Sequence, residues 1–221
     1  MFKPATLARV LPFAAYMAFV FIADMLERLG VGAETQRLLY PVKILVVAAL
    51  LYYYRRSYTE LWQVRLGARP AVVAVAGGLL VLFLWIQLNA SWMSVGHSAG
   101  YEPRDAQGQF IWWLAAVRLA GAALVVPVME ELFWRSFLLR WLENPDFEAV
   151  RPAHVRIRGF VVTVILFGVE HNLWLAGMVA GVVYGMLYIR SNTLWSPILA
   201  HSVTNGLLGC WIISTGNWSY W

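Results

Sequence analysis

The chain has 221 residues, of which 61% are hydrophobic and only 13% charged, and its mean hydropathy is +0.63. A soluble domain carries about 25% charged residues, so the composition excludes an ordinary soluble enzyme and points to one compact membrane-embedded bundle. The net charge of +5 is carried by basic clusters between apolar spans, the pattern of topology signals and not of a nucleic-acid binder.

Taken in order, the amino terminus (Lys3, Arg9, then an apolar run) superficially resembles a signal peptide. Pro12 interrupts it early, and "ADMLERLG" offers no small-residue cleavage pattern, so it reads as a retained first helix. Apolar spans follow at 10–26, 38–54, 71–88, 118–140, 159–171, 173–189 and 195–213. Crossing a bilayer takes roughly 20 residues, within a range of about 17–25. The expectation is an all-α polytopic transmembrane bundle of about seven spans, in a range of about six to eight. It forms a single domain over 1–221, with a motif-bearing core at 118–213 and a short intramembrane hairpin near 159–189. Continuing the fourth span back to 110 gives a helix of about 46 Å, too long for a core of about 30 Å. Residues 110–117 ("FIWWLAAV") are therefore expected at the interface, with Pro127 kinking the span. The lone cysteine, Cys210, excludes an internal disulfide and reads as a core residue.

Positive charge orients the chain. Lys3, Arg9, Arg55, Arg56, Arg65, Arg69, Arg140, Arg151, Arg156, Arg158 and Arg190 fall on one side, against Arg28, Arg37, Arg104 and Arg118 on the other. The richer side is cytoplasmic. The amino terminus is then cytoplasmic and, with seven spans, the carboxyl terminus lies outside.

Ionised groups inside spans are expensive and mark function. In "VMEELFWRSFLLR" (128–140), Glu131 and Arg135 lie four apart on one helix face and can form an ion pair. Glu130 points about 140° away from Arg135 and faces something else. In "FGVEHNLW" (167–174), His171 sits near a helix end, where a lone histidine is more often a satisfied core residue. The turn that follows must be buried in protein or line a cavity if it stays within the bilayer. In "SPILAHSVTNGL" (196–207), Ser196 and Pro197 read as a helix start. His201 and Asn205 share a face four residues apart, where an interhelical hydrogen bond is the simpler role. All three sites fall at a common depth, placed in the cytoplasmic half. A carboxylate with a histidine can deprotonate water. A second histidine and an amide can donate to an oxyanion. Spacing alone leaves this chemistry and an ion path on equal terms.

The same residues carry a resemblance. "EELFWR", Phe167 with His171, and His201 with Asn205 resemble, in order, the three motifs of the CAAX-protease and bacteriocin-processing family of glutamic intramembrane proteases. The match covers 128–206. The sequence also resembles the CAAX-protease-like proteins associated with bacterial exosortase sorting systems. The resemblance implies a metal-independent endopeptidase opening to the cytoplasm, acting on a membrane-associated or lipid-modified protein or peptide in a bacterial inner membrane. It implies that Glu130 and His171 activate water, that His201 and Asn205 form the oxyanion site, and that Glu131 and Arg135 support them. No cofactor is expected, and the partners are membrane lipids and the substrate, with no nucleic acid.

Rival readings remain open. Glu130, Glu131, Glu170, His171 and His201 offer ligands for a zinc metalloprotease, though no His-Glu-x-x-His helix occurs. A transporter uses similar groups, but no broken helix recurs in two halves. A non-catalytic immunity protein would keep the fold. Elsewhere Glu170 either tunes His171 or faces the turn, Lys43 is expected to snorkel outward, Asp24 lies near the outer end of the first helix, and His97 and His154 fall in loops.

With Cys210→Ser as background, a cysteine at Ser98 should react with a membrane-impermeant maleimide added to intact cells. Labelling only after permeabilisation would reverse the orientation.

Overall fold

The computed structural model describes residues 3–96 and 100–221. His97 and Ser98 lie outside the described residues. Among the described residues the architecture is an all-helical bundle, and six helices are long and apolar enough to cross a membrane. They are α1 (Pro4–Arg28), α2 (Ala33–Tyr53), α4 (Ala68–Gln87), α5 (Trp112–Trp141), α7 (Trp174–Ser191) and α8 (Trp195–Thr215). A short helix α3 (Thr59–Gln63) lies between α2 and α4, and the expected fifth span is the shorter apolar helix α6 (Ile157–Val169).

Three local expectations are corrected. Helix α5 begins at Trp112, not at Arg118, and is helical over 30 residues. Trp112 and Trp113 are exposed, so the excess length runs past the apolar core with its tryptophans at the interface. Helix α8 begins at Trp195, ahead of Ser196, and the Thr193 hydroxyl accepts the Trp195 N–H at 3.3 Å. Cys210 is exposed rather than in the core, because it sits on the outward face of α8.

Two close helix contacts place the site. A Cβ on Gly78 of α4 would meet the Ala200 carbonyl of α8 at 2.4 Å. Without one, the Thr204 hydroxyl reaches the Gly78 carbonyl at 2.9 Å. A Cβ on Gly168 would lie 2.4 Å from Met178, so α6 and α7 can close as a tight hairpin. The turn of that hairpin is not left bare. The Val95 N–H donates to the Asn172 carbonyl at 2.8 Å, and Asn172 Nδ2 returns a bond to the Val95 carbonyl at 3.0 Å. Trp174 Nε1 donates to the Trp92 carbonyl at 3.2 Å. The turn therefore meets the segment that follows α4, which satisfies backbone groups that an apolar setting would leave costly.

At the opposite end the bundle is tied by a polar knot that the charge pattern alone did not reveal. Arg9 is buried within α1 and grips Glu60 of α3 through Nη2 at 2.8 and 2.7 Å. Its Nε donates to Ser136 Oγ at 2.8 Å, and Arg140 Nη2 reaches the same hydroxyl at 2.8 Å. The Ser136 hydroxyl also bonds the Glu60 carboxylate. Arg9 and Arg140 are thus structural groups as well as orientation signals. Burial pushes the Glu60 carboxyl up, but the Arg9 charge and the hydrogen bonds from Arg9 and Ser136 outweigh it and hold the group below its ordinary 4.5. A depressed carboxyl stabilises the fold above its unfolded value, and that stabilisation is lost as pH falls through the folded value. The thermal midpoint in detergent should therefore fall as pH is lowered below about 4.3, and Glu60→Gln should flatten that acid limb while lowering the midpoint at pH 7. An unchanged acid limb in the variant would remove Glu60 from the account.

Candidate active site

The centre of the bundle holds a carboxylate that α5 and α8 share. Glu131 is fully buried, and its Oε1 accepts from Arg135 Nη1 at 3.0 Å and from His201 Nδ1 at 2.9 Å. The intrahelical pair expected from the spacing is present, and the histidine of α8 joins it. A carboxylate accepts only, so His201 Nδ1 carries the hydrogen and its Nε2 is turned elsewhere. The ring is stacked on Tyr184 of α7, with centroids 4.9 Å apart and 21° between planes. The Tyr184 hydroxyl donates to Thr204 at 2.8 Å. Nothing in the spacing singled out Tyr184, because its role depends on α7 lying beside α8.

Glu130 turns the other way. Its side chain is buried, its Oε2 has no hydrogen-bond partner among the described residues, and it lines a cavity of about 180 Å³. That volume holds several waters. His171, His201 and Asn205 line the same cavity, and neither Glu131 nor Arg135 does. All four proposed reacting residues are therefore brought to one space, and the two supporting residues stand behind its wall.

His171 is held by its own helix end. Its Nδ1 lies 2.7 Å from the Phe167 carbonyl. A carbonyl only accepts, so Nδ1 carries the hydrogen and the lone pair is on Nε2. Trp85 of α4 packs edge-on at 5.2 Å between centroids. Glu170 does not join the cavity; its Oε2 accepts from Trp134 Nε1 at 3.1 Å.

Asn205 has a duty visible only in three dimensions. Helix α5 is π-helical over Gly121–Val125 and again over Leu132–Leu138, on either side of the glutamates. In the first stretch the Val126 N–H bonds to the Gly121 carbonyl, an i to i−5 register. The next bond in that register would run from residue 127 to the Ala122 carbonyl. Residue 127 is proline, which has no N–H. Asn205 Nδ2 supplies the missing donor at 3.0 Å. One amide hydrogen is thus committed to the backbone, and the second is available to the cavity.

Two positions differ from expectation. Lys43 does not snorkel; it is buried, with its ammonium 4.0 Å from the Tyr16 ring centroid. The cavity does not run toward the Arg140 end, where the Arg9–Glu60 knot lies. It extends from His201 past Gly209 to Arg118, Tyr220 and Trp221. Along α5, Glu130 lies about 16 Å from Trp141 and about 18 Å from Arg118. Among the described residues, no three His, Cys, Asp or Glu side chains gather as a metal ion would require.

Residues 111–207 match the family model for type II CAAX prenyl endopeptidase, Rce1-like. The matched segment spans Glu130, His171, His201 and Asn205. Comparison with curated proteins and with solved structures gave no match.

Arg135→Ala leaves the Glu131 carboxylate without its guanidinium and should cost about 3–5 kcal/mol of stability, read as a lowered thermal midpoint in detergent. Adding Glu131→Gln should recover part of that loss by removing the stranded charge. A double variant no more stable than the single one would show that lost packing of Arg135 over Phe167, at 4.3 Å, is the dominant effect.

Proposed function

We propose, from the match of residues 111–207 to the family model for type II CAAX prenyl endopeptidase, that this integral membrane protein is a glutamic intramembrane endopeptidase. It hydrolyses a peptide bond of a membrane-associated or lipid-modified protein or peptide, and its site works without a metal. The observation that carries the reading is the unpartnered, buried Glu130 Oε2 on the wall of a cavity shared with His171, His201 and Asn205.

A water between Glu130 and His171 loses its proton to the Glu130 carboxylate, while the His171 Nε2 lone pair orients it. The oxygen attacks the scissile carbonyl carbon and the C=O electrons move onto oxygen. His201, held through Nδ1–H, presents Nε2, and with a proton there it donates to the oxyanion beside the free Asn205 amide hydrogen. As the tetrahedral intermediate collapses, the C–N bond breaks and Glu130 returns its proton to the leaving amine. Glu131 and Arg135 keep His201 in place and touch no reacting atom.

The direction of approach follows from the cavity. Its far end, at Arg118 and Trp221, is the end with fewer basic residues, which the charge bias puts outside. Substrate then enters from the non-cytoplasmic side, opposite to the cytoplasmic opening that the resemblance implies. The amino terminus is cytoplasmic and the carboxyl terminus outside, in a membrane of the bacterial inner type.

Proteomic comparison of membranes carrying wild type and Glu130→Gln should show an uncleaved protein accumulating in the variant. With that substrate, Glu130→Gln should lower kcat by about 10²–10⁴ with the fold retained, and full turnover would remove Glu130 as the base. Asn205→Ala should lower kcat by about 10²–10³ with little change in KM. It should also lower the thermal midpoint, since the Ala122 carbonyl loses its donor, at about 1–3 kcal/mol. A defect confined to KM would make Asn205 a binding group. Chelator should leave wild-type activity unchanged; zinc-restored activity after chelation would replace this chemistry with a metal one.

A further inference from the structure

Where the active-site cavity ends, two cations share one aromatic ring. The Arg118 guanidinium lies 4.2 Å from the Tyr40 centroid, and the Lys43 ammonium lies 5.0 Å from it. Tyr101 and Trp221 also border Arg118, at 5.3 and 5.9 Å, and Tyr16 borders Lys43. Neither cation has a carboxylate within ion-pair distance among the described residues, and Arg118 Nε is buried without any hydrogen-bond partner. Of the four acids that line the larger cavity, Asp24 pairs with Arg28 at 2.9 Å and Glu102 with Arg104 at 2.8 Å, Asp105 accepts the backbone N–H groups of Gln107 and Gln109, and Glu27 stands in no ion pair among the described residues. Two like charges on one ring, one of them on a buried lysine, are costly at membrane depth unless an anion completes the set.

The position is as informative as the charge. Arg118, Tyr40 and Trp221 line both the catalytic cavity and a larger one of about 950 Å³ between α1, α2 and the loop before α5. The cations therefore stand at the junction between the larger cavity and the catalytic centre. We propose that Arg118 and Lys43 form a receptor for a carboxylate on the substrate polypeptide, which deepens the endopeptidase reading and rests on it. Aromatic rings make the pocket favourable for a guanidinium while leaving its N–H edge free for a carboxylate. From Arg118 to Glu130 is about 18 Å along α5. An extended chain covers that in about five to six residues at roughly 3.3 Å each. The carboxylate, an acidic side chain or a chain terminus, thus lies five to six residues from the bond that is cut. A lipid phosphate is the other source of such an anion, and the experiment separates the two.

Binding separates this proposal from the catalytic one. Two leucine- and alanine-rich hexapeptides, blocked at both ends and differing only in a last aspartate or asparagine, are titrated calorimetrically into the purified full-length Glu130→Gln protein. The aspartate peptide should bind at least tenfold more tightly. Arg118→Gln and Lys43→Gln, each added singly, should each shrink that difference, and Arg118→Lys should retain part of it. Equal binding of the two peptides, or binding of neither, overturns the receptor whether or not the protein proves to be a protease. A preference that vanishes when phosphatidylglycerol is added to phosphatidylcholine nanodiscs overturns it in favour of a lipid phosphate. If Arg118→Gln does not fold, the comparison of the two peptides in the Glu130→Gln protein still decides.

Discussion

The Glu131 carboxylate is the constraint on which the site depends. It is buried where an ion without partners could not remain, so it must hold both Arg135 and His201. That requirement docks α8 against α5 in one rotational setting. Successive residues on a helix point about 100° apart, so turning Glu131 into this contact turns Glu130 out of it. The adjacent glutamates thereby acquire different environments from one covalent fact, and the buried Glu130 carboxyl becomes part of the wall of the cavity.

Helix α5 would not serve as a regular α-helix. Its two π-helical stretches bracket Val126–Glu131, and the wider register re-aims carbonyls and side chains that a straight helix would stack. Pro127 turns the first stretch into an acceptor site by withholding an N–H, and Asn205 takes that acceptor. The same α8 residue that faces the cavity is therefore fastened through its other hydrogen to the helix carrying the glutamates. Small residues complete the docking, with Gly78 against Ala200 and Gly168 against Met178. Rigid support of this kind is what keeps an oxyanion donor aimed before charge develops.

The two ends of the bundle are unlike. One is closed by Arg9, Glu60, Ser136 and Arg140 in a network with paired charges. The other is lined by Arg118 and Lys43 with aromatic rings and no ion-pair partner among the described residues. Paired charge stabilises a seal, and unpaired charge beside a cavity makes a binding surface. The asymmetry gives the site a direction that its reacting groups do not have by themselves.

The sequence by itself determined the class and the ingredients. Apolar runs of spanning length required helices, because no other open structure satisfies its backbone in lipid. Helical spacing paired Glu131 with Arg135, and it put His201 and Asn205 on one face. Such relations lie within one helix and need only its periodicity. Everything that joins one helix to another was decided by the tertiary structure. Spacing could not show that His201 meets Glu131, that Tyr184 stacks on His201, or that Asn205 answers the donor missing at Pro127. It misplaced Lys43, since α2 begins at Ala33 and so sets Lys43 mid-helix, where the Tyr16 ring of the neighbouring helix covers it. The way into the cavity was likewise invisible, because an opening is a gap between packed surfaces, and packing is a property of the assembled helices and not of any one of them.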